Sequence, residues 1–456
     1  MKLGLWGVFA FATVSLVGSV KNVLLIVSDD LKADAIGCYG NPIARTPHID
    51  QLAREGTLFK NAYCQGTWCA PSRASFMRGR YRGGEEITWG EHFQKHGYSS
   101  TRVGKIFHMR VPGDIIDGTD GQDVSACWSA KYNIPGKEAH TPGKYACLNL
   151  NRFTSELEGR ESTRMPNRMF VTVEYEGDGS DQPDWKTATQ SINLLKRFKQ
   201  EKQPFFLAAG LIRPHYPNVA PSKYFDLYPP SKMKLPLVPS DDWQDMPNAG
   251  ISKSNSMHFG IDRFPDNQRR MWTGYLATVT YMDEQVGRML SALKELGLDK
   301  ETLVLFTSDH GYLLGEHHFW QKGNLREEVT RVPLIIRSPG MKAGASSSIV
   351  ELVDMFPTAC ELTGLPIPSS VQGKSLLSIM GNPSIKVRNS ALSFVKQGTS
   401  MRSKRWSYMR YTDGSEELYD MAKDPRQFIN LAQSIDASEQ MSKVRKAFDL
   451  RVQEIR

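Results

Sequence analysis

Two apolar runs that each end in an acidic group constrain this chain more than any other feature. Asn22 to Ser28 (NVLLIVS) runs into Asp29-Asp30, and Thr302 to Ser308 (TLVLFTS) runs into Asp309-His310-Gly311. Continuous β-branched apolar runs read as strands buried on both faces, which belong to parallel sheets covered by helices. Phe205 to Ala209 and Pro333 to Arg337 read as two further strands. Asp266 to Leu296 carries helical periodicity that stops at Gly297. Thr46-Pro47 starts another helix, with Thr46 as N-cap, and Gly56 ends it. The alternation predicts an α/β fold whose large, mainly parallel central sheet is flanked by helices on both faces.

In such sheets, functional groups collect beyond the carboxyl ends of the strands. If the two acid-bearing strands are neighbours, Asp29, Asp30, Asp309 and His310 converge there. Three carboxylates suit a hard divalent cation, Ca²⁺ first and Mg²⁺ second. Either pair alone reads equally well as turn or capping residues. Two pairs after matched strands weaken that plainer reading.

Between the pairs lies Cys69-Ala70-Pro71-Ser72-Arg73, followed by Arg78-Gly79-Arg80. Pro71 suits a first helical turn and Gly79 a helix end, so Cys69 sits at a helix N-terminus, where anions are favoured. Arg73 and Arg80 add positive charge. The residues alone leave a thiolate nucleophile and a buried structural cysteine both open.

Two long stretches, from about 110 to 184 and from 217 to 265, have poor periodicity and read as excursions over the mouth of the site. After Gly373, Trp406 to Tyr411 and Glu416 to Tyr419 read as short strands with a turn at Asp413-Gly414, and a polar helix closes the chain. The division expected is a leader over 1–19, a catalytic domain over 20–375 and a small C-terminal subdomain over 376–456 with a short antiparallel sheet.

Lys2, the apolar run Leu3 to Leu16 and the small residues Val17-Gly18-Ser19 read as a secretory signal, with an uncleaved anchor as the alternative. No later run is long enough to span a bilayer, so stable membrane insertion is not expected. No N-x-[ST] sequon occurs in the 456 residues, which favours a bacterial periplasmic or secreted protein. The net charge of +8 comes without a basic–aromatic block or a nucleic-acid-binding spacing, so nucleic acid is not an expected partner. An anionic polysaccharide suits that charge, as does a merely basic surface. Cys127 and Cys147 flank a polar stretch and are the best-placed disulfide pair.

Cys69 to Arg80 (CAPSRASFMRGR) resembles the signature of the type I sulfatases, C-x-P-S-R-x-x-x-[LM]-x-G-R, with Arg78 standing where Thr is usual. TPHIDQLAREGTLFKNAYC, TSDHGYLLGEH, VELVDMFPTACELTGL and ELYDMAKDPRQFINLA extend the resemblance over nearly the whole mature chain. Gly104 to His108 (GKIFH), Arg213-Pro214-His215, Tyr275-Leu276-Ala277 to Gly287-Arg288 and Trp320-Gln321-Lys322 resemble the iduronate-2-sulfatase group most closely. The resemblance implies an alkaline-phosphatase-like sandwich and conversion of Cys69 to Cα-formylglycine by a formylglycine-generating or anaerobic sulfatase-maturating enzyme. It implies one Ca²⁺ per chain, held by Asp29, Asp30, residue 69, Asp309 and His310.

By the same resemblance Arg73, Lys105, His108, His215 and Lys322 surround the sulfate of a sulfated carbohydrate, a 2-O-sulfated uronate or a related sugar. Arg73, Lys105 and Lys322 then offset charge on the sulfate oxygens, His215 or Lys322 protonates the departing sugar oxygen, and His108 takes the second hydroxyl proton of the hydrated aldehyde. His317 and His318 are weaker candidates, His48 reads as structural, and His92 and His96 read as surface positions of a helix without a third metal ligand. The alternatives are a phosphonate or phosphate ester hydrolase of the same superfamily, a non-catalytic glycan-binding relative, and a cysteine-dependent hydrolase for which no Cys–His–Asn/Asp motif is present.

Overall fold

A computed structural model describes residues 20–160 and 166–455. The expected leader, residues 1–19, lies outside the described residues. Eight strands form the central sheet: β1 (Asn22–Asp29), β2 (Thr57–Tyr63), β3 (Ser99–Gly104), β4 (Ala130–Tyr132), β5 (Phe205–Pro214), β6 (Thr302–Ser308), β7 (Arg331–Arg337) and β8 (Gly344–Glu351). Their order is β8-β2-β7-β6-β1-β5-β3-β4. All neighbours pair in parallel except around β7, which runs antiparallel to both β6 and β2. The fourth expected strand is therefore present but reversed. A run buried on both faces carries no mark of its direction.

The strand period of two divides the core. Leu24 and Ile26 of β1 face one side with Leu207, Ala209, Val304 and Phe306. Helices α1 (Pro47–Glu55), α3 (Pro183–Glu201) and α4 (Pro265–Glu295) cover that side through Leu52, Leu195 and Leu276. Val23, Leu25 and Val27 face the other side with Phe206, Leu303 and Leu305, under Trp89, Phe93 and Phe356. Trp89 stacks between Phe206 and Phe356, with ring centroids at 5.0 and 5.7 Å. Helix α2 (Cys69–Phe76) belongs to this second layer. No helix among the described residues is long and apolar enough to cross a membrane.

Thr46 does stand at the N-cap of α1, but its hydroxyl does not cap the helix. It accepts the Gly37 N–H at 2.9 Å and donates to Asp50 at 3.2 Å. Asp283 of α4 caps α1 instead, accepting the N–H groups of His48 and Ile49 at 3.2 and 2.8 Å. That contact ties α1 to α4 across 234 residues of sequence.

The stretch from 110 to 184 is not a bare excursion. It carries β4 and three strands, Lys144–Cys147, Arg152–Thr154 and Val171–Tyr175, of a second sheet that is completed by Asn218–Pro221. These strands are too short for their alternation to stand out in sequence, and Val171, Val173 and Val219 bury one face of the small sheet. The expected Cys127–Cys147 bridge does not form. Cys127 is a free thiol in the core under the central sheet, whereas Cys147 packs in the core of the second sheet.

At the C-terminus, Ser390–Val395, Gly398–Ser403, Trp406–Tyr411 and Glu416–Asp420 form an antiparallel meander. Helix Ser438–Gln453 covers it through Met441, Val444 and Phe448. This small sheet docks on the main one through a buried ion pair of Arg326 with Glu417 at 2.6 Å and a backbone bond from Phe394 to Gln65 at 2.8 Å.

Candidate active site

Strands β1 and β6 lie side by side in parallel, Ser28 opposite Ser308. Asp29 and Asp309 therefore leave the sheet at the same level, each followed by a second polar group. Asp29, Asp30, Asp309 and His310 are all fully buried. The three aspartates bring one oxygen each within 4.8 Å of one another. Asp30 adopts the left-handed region, with φ of 64°, which turns the chain sharply as it leaves β1. Tyr275 of α4 holds that turn by donating to the Asp30 carbonyl at 2.6 Å and accepting the Lys32 N–H at 3.0 Å.

Cys69 opens α2 and is 3% exposed. Its Sγ lies 3.2 Å from Lys322 Nζ, 3.3 Å from His310 Nε2 and 4.0 Å from Asp30 Oδ1. Burial raises the thiol pKa and Asp29 adds to that, yet the Lys105 and Lys322 ammonium groups outweigh both and lower it. Ser72, one turn on, donates to the Asp309 carbonyl and fixes the helix start against β6.

Arg73 is the hub beneath. Its Nε donates to Asp309 at 2.8 Å and Nη2 to Asp29 at 3.1 Å. Its Nη1 donates to the carbonyls of Lys105 and Ile106 at 2.6 and 3.0 Å. Each guanidinium nitrogen ends on a protein acceptor, so Arg73 organises the carboxylates instead of facing an open anion site as expected. Arg80 lies elsewhere, bonded to the Ser370 carbonyl at 2.7 Å and paired with Glu86 at 3.2 Å.

Lys105 enters from the end of β3, where Gly104 (φ of 71°) faces Gly210 of β5. A Cβ on Gly104 would stand 2.3 Å from the Gly210 carbonyl oxygen, and one on Gly210 would stand 2.0 Å from the Lys105 carbonyl oxygen. Two bare backbones are needed for β3 to pass this close. Lys105 then reaches the Asp29 carboxylate, and Lys322 reaches Asp30.

The charges sort the titrating groups. Burial pushes Asp29 up, but the permanent cations, Lys105 first and then Arg73 and Lys322, hold it well below the usual carboxylate range. Burial pushes Asp30 up to about 7, against the pull of Lys322 and His310. Burial disfavours the His310 imidazolium, but Asp309 and Cys69 outweigh it and raise the group to about 9. His215 is held well below its ordinary value by burial and by Lys322. Its Nδ1 bonds the Tyr216 carbonyl at 2.7 Å, and its Nε2 lies 3.7 Å from Asp30. His108 is pushed down to about 4 by burial and then by Lys105, and its buried Nδ1 has no hydrogen-bond partner among the described residues.

The donor set fits a divalent cation. Its oxygens are hard, it carries three carboxylates, and Asp30 Oδ2 is buried with no hydrogen-bond partner among the described residues. Burial is what raises Asp30, and the Lys322 and His310 charges offset it only in part.

Tyr216, Trp68, Gln321 and Tyr275 complete the surroundings. The Tyr216 hydroxyl accepts Gln321 Nε2 at 2.8 Å, and Lys322 Nζ lies 5.6 Å from the Tyr216 ring and 5.9 Å from the Trp68 ring. Trp68 and Tyr216 each adjoin an expected site residue in sequence, and that adjacency was the available signal. The remaining histidines lie outside this set of contacts. His317 pairs with Asp242 at 2.9 Å, and His318 bonds the Pro239 carbonyl at 3.4 Å. His48 packs its ring against Gly287. His92 is buried against Phe356 instead of lying on the surface, while His96 turns back onto the His92 carbonyl at 2.9 Å.

Comparison with known proteins gives concordant results. The family model described as Sulfatase matches residues 21–365, and one described as N-sulphoglucosamine sulphohydrolase, C-terminal, matches residues 315–456. Iduronate 2-sulfatase of Homo sapiens is 31% identical over 464 residues, covering 90% of this chain and 78% of that protein. A sulfatase of Formosa agariphila is 32% identical over 441 residues, covering 90% of this chain and 83% of its own. A solved structure holding its substrate, D-glucosamine-2-N,6-O-disulfate, superposes with a TM-score of 0.73 at 20% identity, covering 96% of this chain and 98% of that one. The architecture is thus alkaline-phosphatase-like, with the small antiparallel sheet at the C-terminus.

Proposed function

This chain belongs to the type I sulfatase family, close to iduronate 2-sulfatase, and is a sulfuric ester hydrolase; from that premise we propose that it removes sulfate from a 2-O-sulfated uronate, or a related sugar, at the end of a glycan chain. The observation that carries the reading is the convergence of Lys322, His310 and Asp30 on residue 69 at the start of α2.

The reactive group in this reading is Cα-formylglycine made from Cys69 by a formylglycine-generating or anaerobic sulfatase-maturating enzyme. Its hydrate supplies two hydroxyls on one carbon, one to attack sulfur and one whose proton is later removed so that sulfate leaves without water attack at sulfur. Asp29, Asp30, Asp309 and His310 would hold a cation, Ca²⁺ before Mg²⁺, which supplies positive charge to the sulfate oxygens.

The chain's own side chains divide the remaining work. Lys322 Nζ, 3.2 Å from Sγ, and Lys105 hold the anion. Lys322 is raised well above its ordinary value against its burial, with the Asp30 carboxylate the largest charge acting on it, while His215 is held neutral. Of these two candidates, Lys322 therefore carries the proton that the departing sugar oxygen needs. His108 is neutral at physiological pH, and its unpartnered Nδ1 takes the hydroxyl proton of residue 69. Arg73 is a positioning residue, since it touches carboxylates and backbone carbonyls only.

His108→Ala lowers kcat about 10²- to 10⁴-fold with KM little changed. In the parent enzyme the base is lost only as pH falls toward about 4, where His108 protonates. The variant's residual rate lacks that acid limb. A pH–rate profile of both proteins checks this, and an unchanged kcat removes His108 from the mechanism.

Lys2, Leu3 to Leu16 and Ser19 support export to the periplasm or medium, and we take 20–375 as the catalytic part and 376–456 as the C-terminal subdomain. The test of the whole reading is sulfate release over defined sulfated oligosaccharides by enzyme co-expressed with a maturating enzyme. Aryl phosphonate serves as the competing substrate, and mass spectrometry follows the peptide holding residue 69. Faster cleavage of phosphonate, or an unmodified cysteine in active enzyme, would overturn it.

A further inference from the structure

Arg168 sits at the edge of the site with no ion pair or hydrogen bond to any described residue. Its guanidinium carbon lies 5.5 Å from the centre of the Tyr216 ring. The same ring lies 5.6 Å from Lys322 Nζ, which in turn touches Sγ of Cys69 at 3.2 Å. One aromatic side chain thus carries two cations. One of them, Lys322, lies against residue 69, and the other, Arg168, shares its ring.

The position of Arg168 is built. It lies in a 3₁₀ turn, Pro166–Phe170, on the path into the second sheet. Asn167 before it bonds Asn149 at 2.7 Å. Met169 and Phe170 after it are 4% and 0% exposed, and Phe170 packs edge-on against Trp320 at 5.2 Å. The Tyr216 ring beneath is itself pinned by Gln321, the neighbour of Lys322. A half-buried arginine stacked on an aromatic face has already lost much of its rotamer freedom. It also presents a planar pair of N–H donors matched to a two-oxygen anion.

We propose that Arg168 is a specificity residue that binds the carboxylate of the uronate whose sulfate is cut, while Trp68, 46% exposed with its ring 5.9 Å from Lys322 Nζ, offers an indole face to the sugar ring. This rests on the sulfatase reading of residue 69. Lys322 and Arg168 would then grip the two anionic substituents of one sugar, with Tyr216 as the spacer between them.

The experiment compares kcat/KM of the parent and of Arg168→Ala and Arg168→Lys. The substrates are an aryl sulfate without a carboxylate, a 2-O-sulfated uronide and the same sugar with its carboxyl reduced to the alcohol. Losing a charge-assisted, two-point contact lowers kcat/KM on the uronide about 10- to 100-fold in Arg168→Ala, chiefly through KM. Arg168→Lys recovers part of it. The aryl sulfate and the reduced sugar change less than about twofold. An equal loss on all three substrates makes the residue structural and overturns the proposal, as does an unchanged rate on the uronide. A parent enzyme that cleaves the aryl sulfate but not the uronide also overturns it and leaves the sulfatase reading standing, whereas one that cleaves neither sinks both.

Discussion

Cys69→Ala stops sulfate release and leaves the protein folded. The side chain removed is small, and the polar groups around it keep other partners. Lys322 still pairs with Asp30, and His310 still lies 3.6 Å from Asp309 and bonds the Gly311 carbonyl. Alanine fits a helix start without a clash, so stability stays within about 1 kcal/mol of the parent. Turnover, by contrast, loses the only atom on which the proposed chemistry can begin. The rate on any sulfate ester falls by at least about 10⁴-fold, to background. Ion chromatography of released sulfate, with a thermal melt of the same sample, reads both halves. A variant that keeps a tenth of parental activity would end the assignment of residue 69.

Arg73→Ala has the largest expected effect on stability. The guanidinium sits between two carboxylates that are 0% exposed, and it also satisfies two carbonyls of the segment after β3. Its removal leaves Asp29 and Asp309 facing each other without the shared cation and frees the Lys105 turn. Taking one partner from a buried ion pair costs about 3–5 kcal/mol. Arg73→Lys keeps the charge but loses the fork, and falls between. Urea melts of the three proteins order them parent, lysine, alanine. An alanine variant with an unshifted midpoint would show that the carboxylates find relief elsewhere, and Arg73 would cease to be the hub.

Much of this site was legible because its parts sit at strand ends. The two acid pairs could be matched from the order of residues alone, since β1 and β6 are long, apolar and unbroken. The helix start that carries Cys69 was written in one contiguous segment, Cys69 to Arg80. What stayed hidden depends on packing between distant segments. The reversal of β7 leaves no trace in a run buried on both faces. The second sheet is made of strands of 3 to 5 residues, below the length at which a period shows. Arg73 looked like an anion ligand because it follows Cys69 at a helix start, yet the carbonyls that occupy it belong to residues 105 and 106. Arg168 lies in a stretch with no pattern, and only the fold sets it beside Tyr216.

The facing glycines of β3 and β5 set a limit on how this scaffold can be varied. Neither touches the reacting atoms, yet each ideal Cβ would land on a carbonyl oxygen that belongs to the opposite strand or to the lysine beyond it. A saturation library at positions 104 and 210 would therefore return one letter at each, however permissive the selection for substrate. Redesign of the mouth has freedom in the loops, whereas the floor under Lys105 admits no added methyl at all.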